Sequence, residues 1–498
     1  MENSKRKEKV LIIGAGPGGL SSAMLLAHKG YDVSVYEARD RVGGRNATIT
    51  EKGYTFEIGP TFVMLPNVFE DTFRDAGREM GRYLDMRSLP IMYELHYSDG
   101  RKFDVFFDKE KLKLEIERLF PTESKGYDRY LKENKIKYER LYKCLTVPYM
   151  RVWNYFRWKL LRAFPVMSIP KTVYGVLSKY FKSDDLKIAM SFQAKYLGMS
   201  PWECPGAFTI LSYVEHAFGI YHPMGGVHKI SEAMAKVAEE DGAKIYLNTK
   251  VKRIMVGKEN VRGVELESGE LVEADHVIMN TDFARGISTL LSGKERGKYS
   301  DIYLENKKYS CSTFMIYLGV SKKYDLPHHN IFFSANYKKN VTEIFKGYGI
   351  PEDPSFYVQN ASITDSSLVP EGKSTIYILV PVSNTLKAKV DWQKEKQGLR
   401  NLIIKKFKEK TGFSDIEEHI EFEKIITPDD WHNDMNVYHG AVFNLAHSLD
   451  QMLYLRPHNR FPEYDNLYIV GGGTHPGSGL PTIIESGRIA ANLICKEK

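Results

Sequence analysis

The chain is poor in features that would set a narrow class. It has only four cysteines in 498 residues. Cys144, Cys204, Cys311 and Cys495 lie far apart, and no pair has metal-ligand spacing, so neither a zinc site nor a disulfide framework is indicated and a reducing cytoplasm is expected. Charge of one sign is nearly absent as well. Seventy basic residues against 63 acidic leave a net charge of +7, too small and dispersed to argue for nucleic acid, although it favours an anionic surface. No apolar run is long enough to cross a bilayer. Lys5, Arg6, Lys7 and Lys9 precede an uncharged run from Val10 to Ala27 that mimics a signal peptide, but glycines interrupt it; residues 1–9 read as a disordered basic arm. There is no internal repeat and no low-complexity segment. A hydrophobic share of 43% and a charged share of 27% describe an ordinary globular protein with enough core for two or three domains.

What the chain does have is glycine in two ordered strings. At the N-terminus, Val10–Ile13 reads as a strand. Gly14, Ala15, Gly16, Gly18 and Gly19 follow, then a helix over Leu20–Lys29, then a second strand, Val33–Tyr36, ending on Glu37. This is the βαβ dinucleotide fingerprint: glycines for the turn and for close approach, a helix N-terminus for a pyrophosphate, and an acid for a ribose hydroxyl. At the other end, the strand Leu467–Val470 runs into Gly471, Gly472 and Gly473. Thr474, His475, Pro476, Gly477, Ser478 and Gly479 come next, and a helix-like run follows from Thr482. Backbone free of Cβ atoms beside a helix N-terminus suits a flat ligand with an anionic edge.

The C-terminal string resembles the signature of bacterial-type phytoene desaturases, FAD enzymes of carotenoid synthesis. Arg39-Asp40-Arg41-Val42-Gly43-Gly44-Arg45 resembles the R-x-G-G-R element of the amine oxidase and phytoene desaturase superfamily, which lies along the FAD phosphates and flavin. Further strings, among them GPTFVMLPNVFEDTF, YSCSTFMIYLGV and HHNIFFS, resemble the dehydrosqualene (C30) desaturases, so the likeness covers nearly the whole chain. One departure is Glu57, where the family usually has Asp. The resemblance implies an α/β fold: a discontinuous Rossmann-like FAD-binding domain (1–70, 223–287 and 456–498) and a mixed α+β substrate domain with a helical membrane-facing part (71–222 and 288–455). It implies FAD contacts from Gly14, Ala15, Gly16, Gly18, Gly19, Glu37, Ala38, Arg39, Gly44, Arg45, Gly59, Pro60, Thr61, Val251, Asp282, Gly472, Gly473, Leu480, Pro481 and Thr482. Read alone, Val251 is equally a core valine. No metal is called for.

The intervening chain reads as a helix carrying Val227, Ile230, Met234 and Val237, followed by strands over Lys244–Leu247, Val251–Val256, Val261–Leu266 and His276–Met279. The stretch from about 70 to 222 is helix-rich by pattern. That from about 288 to 455 has strands at Ser312–Val320, Ile331–Ser334, Phe356–Gln359 and Thr375–Val380.

The string Arg151–Phe164 places Trp153, Phe156, Leu160 and Phe164 near one face of an expected helix, with Arg151, Arg157, Lys159 and Arg162 for charge. This suits a headgroup boundary and a protein peripheral on the cytoplasmic membrane face; the alternative is a helix packing its aromatics into the core. A desaturase for a long apolar isoprenoid passes a hydride to flavin N5 and loses a proton. Glu215, His216 and His475 are candidates to stabilise charge or accept that proton. For Glu215 and His475 the plainer reading is structural. Alternatives of the same fold are a carotenoid oxygenase, a polyene isomerase or saturase, a flavin amine oxidase and a non-enzymatic prenyl carrier. C30 and C40 substrates both remain open, as does oligomeric state.

Overall fold

The computed structural model describes residues 6–496. The expected basic arm therefore lies partly outside the described residues, and Lys9 already opens the first strand.

A five-stranded parallel sheet joins chain segments from both ends and the middle. Its order is Leu467–Ile469, His276–Met279, Lys9–Ile13, Asp32–Tyr36 and Lys244–Tyr246. These strands are short and mostly apolar because helices and strands cover both faces. Pro17–His28 crosses from the first strand to the second, starting at Gly16 with proline at its first position and no acidic residue in its first turn. It packs between Lys229–Glu240 and Leu480–Cys495. The approach to the latter is very close: a Cβ on Gly487 would overlap the carbonyl of Gly18. The hydroxyls of Ser21 and Ser22 donate across the gap to Ile484 O and Gly487 O, at 3.0 and 3.1 Å.

A seven-stranded sheet forms the second layer system. Its order is Ile420–Ile426, Ser312–Val320, Ser374–Val382, Phe356–Gln359, His329–Phe332, Ile91–His96 and Lys102–Phe106. All pairs are antiparallel except His329–Phe332 with Ile91–His96. The last two strands come from the stretch expected to be helix-rich. Helices do dominate there, notably Ser124–Leu145, but Ile91–His96 is buried on both faces and lacks the alternation that marks a strand. The expected strand Ile331–Ser334 begins two residues earlier, at His329.

The expected helix over Arg151–Phe164 is not one helix. A 3₁₀ turn (Val152–Phe156) is broken at Arg157, whose φ and ψ are −59° and 133°, and a short α-helix follows over Trp158–Ala163. Leu160 points inward, joining Leu141, Cys144, Tyr149 and Ala163. Trp153, Phe156, Trp158 and Phe164 are instead 76%, 65%, 69% and 66% exposed, which rules out the core-packing alternative for them. Among the described residues no helix is long and apolar enough to cross a membrane.

Candidate active site

The N-terminal glycines sit where backbone must approach backbone. A Cβ on Gly14 (φ +95°) would meet the carbonyl of Asn280 at 2.6 Å, and one on Gly16 would meet Asn280 Nδ2 at 2.9 Å. That amide donates to Gly14 O and Gly16 O at 2.9 and 3.2 Å. Gly18 faces Gly471 N and Ile483 O, so the two glycine strings touch. Gly44 (φ +56°) stands across from Gly16, with a Cβ position only 3.5 Å from its Cα. The Glu37 carboxylate is buried and accepts from the N–H groups of Ala15 and Arg39 at 2.7 and 3.0 Å. Ala38 beside it is exposed. Arg39 turns away, donating to Met435 Sδ and Asp434 O. Val251 opens its strand close by and buries its side chain in the cluster with Leu11 and Tyr36.

Arg45 donates to Val442 O at 2.7 Å and lies 4.0 Å from Asp282. Asp282 accepts from Asn444 Nδ2 at 2.6 Å, and burial pushes its carboxyl above the ordinary range despite Arg45. Gly59 packs against the Arg45 carbonyl, and its own carbonyl accepts from Tyr377 OH. Pro60 is half-buried, and Thr61 accepts from Tyr357 OH at 3.0 Å. Gly473 has Phe283 and Asn444 where a Cβ would go, and Gly472 has Ser478. Leu480, Pro481 and Thr482 form the first turn of the last helix, whose Thr482 hydroxyl donates back into Gly477–Gly479.

The arrangement fits a dinucleotide. Two Cβ-free backbones face each other at the start of a helix with no acid in its first turn, and Glu37 closes the second strand. The chain thus brings Gly14, Gly16, Gly18, Gly19, Gly44, Gly471 and Asn280 together from three distant segments.

Of the three candidates for chemistry, Glu215 and His216 are neighbours, and His475 shares no partner with either among the described residues. Glu215 lies on the helix Ile210–Phe218, fully buried. Its Oε2 accepts from Gln193 Nε2 at 2.7 Å and Tyr93 OH at 3.0 Å, while Oε1 has no partner among the described residues. Burial pushes this carboxyl up to about 8, against the pull of those two donors. His216 next to it bonds Tyr127 OH at 2.9 Å, and burial pulls it down to about 3. His475 is buried in the C-terminal string and packs edge-on against Tyr149. Neither of its ring nitrogens closes a hydrogen bond with a described residue, although the backbone of Leu145 and Val147 lies beside the ring. Burial, with Arg456 nearby, pulls it down to about 3.

Two further features leave no mark in the amino-acid pattern. Arg456 is fully buried and meets no carboxylate among the described residues; it donates to five carbonyls, those of Leu445, Ala446, Gln451, Gly472 and Thr474, and so ties the glycine string to the preceding loop. Glu57 accepts from Val227 N at 2.6 Å and is pushed up to about 8 by burial, against the pull of that donor, so the residue that departs from the family pattern is a fully buried acid. An arginine in a Pro-rich loop and a glutamate ending a hairpin carry no signal of either environment.

Replacing Gly16 with Val should leave a folded protein that purifies without flavin. The added side chain would meet the Asn280 amide and enter the gap opposite Gly44. Far-UV circular dichroism near wild type with the flavin absorption bands lost is the expected pair of results; full flavin occupancy would refute the placement.

Comparison with known proteins agrees with this geometry. The chain matches the family described as flavin containing amine oxidoreductase over residues 17–495. It is 44% identical over 497 residues to a 4,4'-diapophytoene desaturase (4,4'-diapolycopene-forming) from Methylomonas sp, covering 100% of this chain and 96% of that protein. It is 37% identical to an all-trans-zeta-carotene desaturase of Myxococcus xanthus, with 98% and 93% covered. Among solved structures, an oxidoreductase from Methanosarcina mazei superposes with a TM-score of 0.64 at 18% identity, over 98% of this chain and 100% of that one, and shows the shared fold. The cofactor is FAD, and the chain belongs to the flavin-containing amine oxidoreductases, in the branch of the bacterial-type phytoene and diapophytoene desaturases.

Proposed function

We propose that the protein desaturates a linear C30 isoprenoid, 4,4'-diapophytoene (dehydrosqualene), in carotenoid synthesis. The observation that carries this reading is full-length identity of 44% to a C30 desaturase, joined to an intact glycine cradle. The C40 desaturases are similar at 31–37%. In this reading residues 1–70, 223–287 and 456–498 bind FAD, and 71–222 and 288–455 hold the polyene. The FAD contacts are those named from the sequence, Arg39 offering only backbone because its guanidinium is turned to Asp434 and Met435, with Asn280 and Arg456 bracing them.

Bound FAD supplies a hydride acceptor at N5. The chain's part is to hold an apolar molecule in a dry site and to manage the charge that hydride loss leaves on it. Allylic conjugation spreads that positive charge. Glu215 suits its stabilisation: a buried carboxyl with one oxygen unengaged and the other fixed by two donors. His475 keeps the glycine string shut against Tyr149 and is proposed as a positioning group.

The patch of Trp153, Phe156, Trp158 and Phe164 is proposed as the docking surface for an anionic membrane. Leu449 and Leu455, 50% and 46% exposed, extend it, because Tyr454 packs on Tyr155. Arg151, Lys159 and Arg162 rim it. Arg157 stacks on Tyr149, the residue that touches His475, so the patch adjoins the flavin side. A substrate insoluble in water would pass from lipid without crossing solvent.

Co-expression with a dehydrosqualene supply or a phytoene supply tests the function by product chromatography. Conjugated C30 products are expected from the first host; desaturation of phytoene alone would overturn the C30 assignment.

Glu215→Gln should slow single-turnover flavin reduction by roughly 10²- to 10³-fold, with normal flavin content. The working form is the carboxylate, so the wild-type rate should climb as pH rises through about 8, the value to which burial pushes this group, and the variant should lose that climb. An unchanged rate in the variant removes Glu215 from the chemistry.

Replacing Trp153, Phe156 and Trp158 with Ser should abolish sedimentation with anionic liposomes while flavin stays bound. High salt should weaken wild-type binding, since the Debye length shrinks from about 10 Å at 0.1 M to about 3 Å at 1 M. Undiminished binding by the triple variant would point to another surface.

A further inference from the structure

The exposed apolar patch is divided between two segments that meet along a seam. One is Val152–Ala163, a 3₁₀ turn and a short helix joined at Arg157. The other is Leu449–Leu455, two 3₁₀ turns joined at Met452. Tyr155 of the first and Tyr454 of the second stand edge to face, with ring centres 6.4 Å apart, and Tyr155 also reaches the backbone of Tyr454. Both tyrosines are half-buried. Trp153 and Phe156 are exposed beside the one, and Leu455 beside the other. Each segment is tied at its own base. Arg157 donates to Pro148 O at 2.8 Å, and Gln451 Nε2 donates to Lys308 O at 2.9 Å, next to the ion pair of Lys308 with Asp450.

Behind the seam lies an apolar cluster. Tyr149, Leu160 and Ala163 are buried in it, and Tyr155, Leu453 and Tyr454 lean on it. Three of its contacts lead to the chemistry. Tyr149 meets His475 edge-on at 5.2 Å, which brings the cluster to the flavin-side glycine string. Tyr454 lies 5.1 Å from His458, whose Nε2 donates to the Tyr454 carbonyl at 2.9 Å, and Pro457 beside it accepts from Thr474 and from His475 N of the same string. Ile210, the first residue of the helix that carries Glu215, packs on the cluster as well. One apolar cluster thus touches the exposed patch, the flavin-side loop and the Glu215 helix. The backbone beside the seam is held against its preference. Leu453, and Ser168 just past the first segment, have φ of +55° and +59°, in the left-handed region that residues other than glycine rarely adopt. Such positions recur at clamps and switches.

We propose that this seam is the mouth through which the linear polyene passes from lipid to the flavin: Tyr155 and Tyr454 part, and the apolar chain enters over Tyr149, Leu160 and Leu453. The wall suits that ligand. Its side chains are apolar or aromatic, so a hydrocarbon loses nothing by leaving lipid, whereas a polar solute would give up its water and find few partners. The seam is shut in this structure, so passage requires that the two segments separate. A membrane favours that separation. The contact between the two rings is replaced by contact with acyl chains, because Trp153, Phe156 and Leu455 beside them already face outward. In water no such replacement exists, and the same two rings keep solvent away from the flavin-side string. This rests on the desaturase and membrane-docking readings above.

The test combines Tyr155→Cys with Tyr454→Cys in a holoenzyme whose half-buried Cys495 is replaced by Ser; Cys144, Cys204 and Cys311 are buried. A short bis-methanethiosulfonate bridges the two new thiols, and dithiothreitol cuts the bridge. Bridging should slow single-turnover flavin reduction by dehydrosqualene in liposomes roughly 100-fold relative to the same protein unbridged, and cutting the bridge should restore the rate. Flavin content and sedimentation with anionic liposomes should not change. A bridged protein reduced at the unbridged rate would overturn the mouth. So would a bridge that sheds flavin or abolishes sedimentation, since the slow rate would then report cofactor loss or failed docking. Thiols that the reagent cannot span would overturn it too, since the two segments would not meet. A readout independent of turnover uses the wild-type holoenzyme in liposomes containing a linear isoprenoid that carries a diazirine. Photolysis should leave adducts on Tyr149, Tyr155, Leu453 or Tyr454; adducts confined to other residues would overturn the proposal. If wild-type flavin is reduced by neither dehydrosqualene nor phytoene, the desaturase reading falls and takes the mouth with it, whereas full-rate reduction of the bridged protein removes the mouth alone.

Discussion

The closest constraint in the molecule is the clasp at Asn280. Its side-chain amide donates to two carbonyls of the N-terminal turn, and its own backbone N–H donates to Ile13 O at 2.9 Å. One residue thus fastens the strand His276–Met279 to the turn that begins the first crossover helix. Gly471, at the start of the third segment, closes on the same spot through Gly18. The clasp works only with hydrogen where side chains would otherwise stand. That is why glycine is required at position 14 for packing, where a Cβ would meet the Asn280 carbonyl, whereas at position 16 it would meet only the end of the Asn280 side chain and matters for ligand approach. The second sheet, the polyene domain and the exposed patch are all hung from segments whose positions this junction sets.

Rigidity at the junction continues into the C-terminal loop by an unusual device. Arg456 meets only carbonyls among the described residues, and burial pulls its guanidinium down to about 9. Five bonds to neutral acceptors share one charge among Leu445, Ala446, Gln451, Gly472 and Thr474. A loop of glycines has little side-chain packing of its own, so its shape must come from outside. Arg456 supplies it from one side and His447 from the other: its ring lies beside Gly477, accepts from Ser478 N at 3.1 Å and reaches Leu197 O. Through Leu197 the flavin-side loop is tied to the segment holding Gln193, the donor to Glu215.

Much of this architecture is legible in the amino-acid pattern itself. The strands Val251–Val256, Val261–Leu266, His276–Met279, Ser312–Val320 and Phe356–Gln359 have the same bounds in the pattern and in the fold, since each is a β-branched or aromatic run closed by turn residues. The cofactor strings are legible because glycine spacing between a strand and a helix has few other causes. What stays hidden depends on distant partners. Ile91–His96 pairs with the nearby Lys102–Phe106 on one edge, but its other edge is held by His329–Phe332, in parallel and across more than two hundred residues, a contact that no local pattern records. Arg151–Phe164 has helical spacing of aromatics but not helical backbone. Its large side chains face away from the protein, so packing does not hold a single helix together there. His329 lies within a string that carries the family resemblance, yet nothing in HHN indicates that one imidazole nitrogen is bonded and the other bare.

The distribution of unsatisfied polar atoms carries the last step. Most buried polar side chains of this protein have partners, as folding requires. Glu215 Oε1, His329 Nε2 and His222 Nδ1 have none among the described residues, and Phe62 packs against both His329 and Tyr93, the donor to Glu215. Removing hydride and then proton from adjacent carbons needs two different polar groups facing one apolar chain. A single residue serving both purposes would be neutralised by the proton it accepted and would lose its hold on the next cation. Separate groups avoid that conflict, and successive desaturations on one polyene then require only that the proton be carried off before the next hydride leaves.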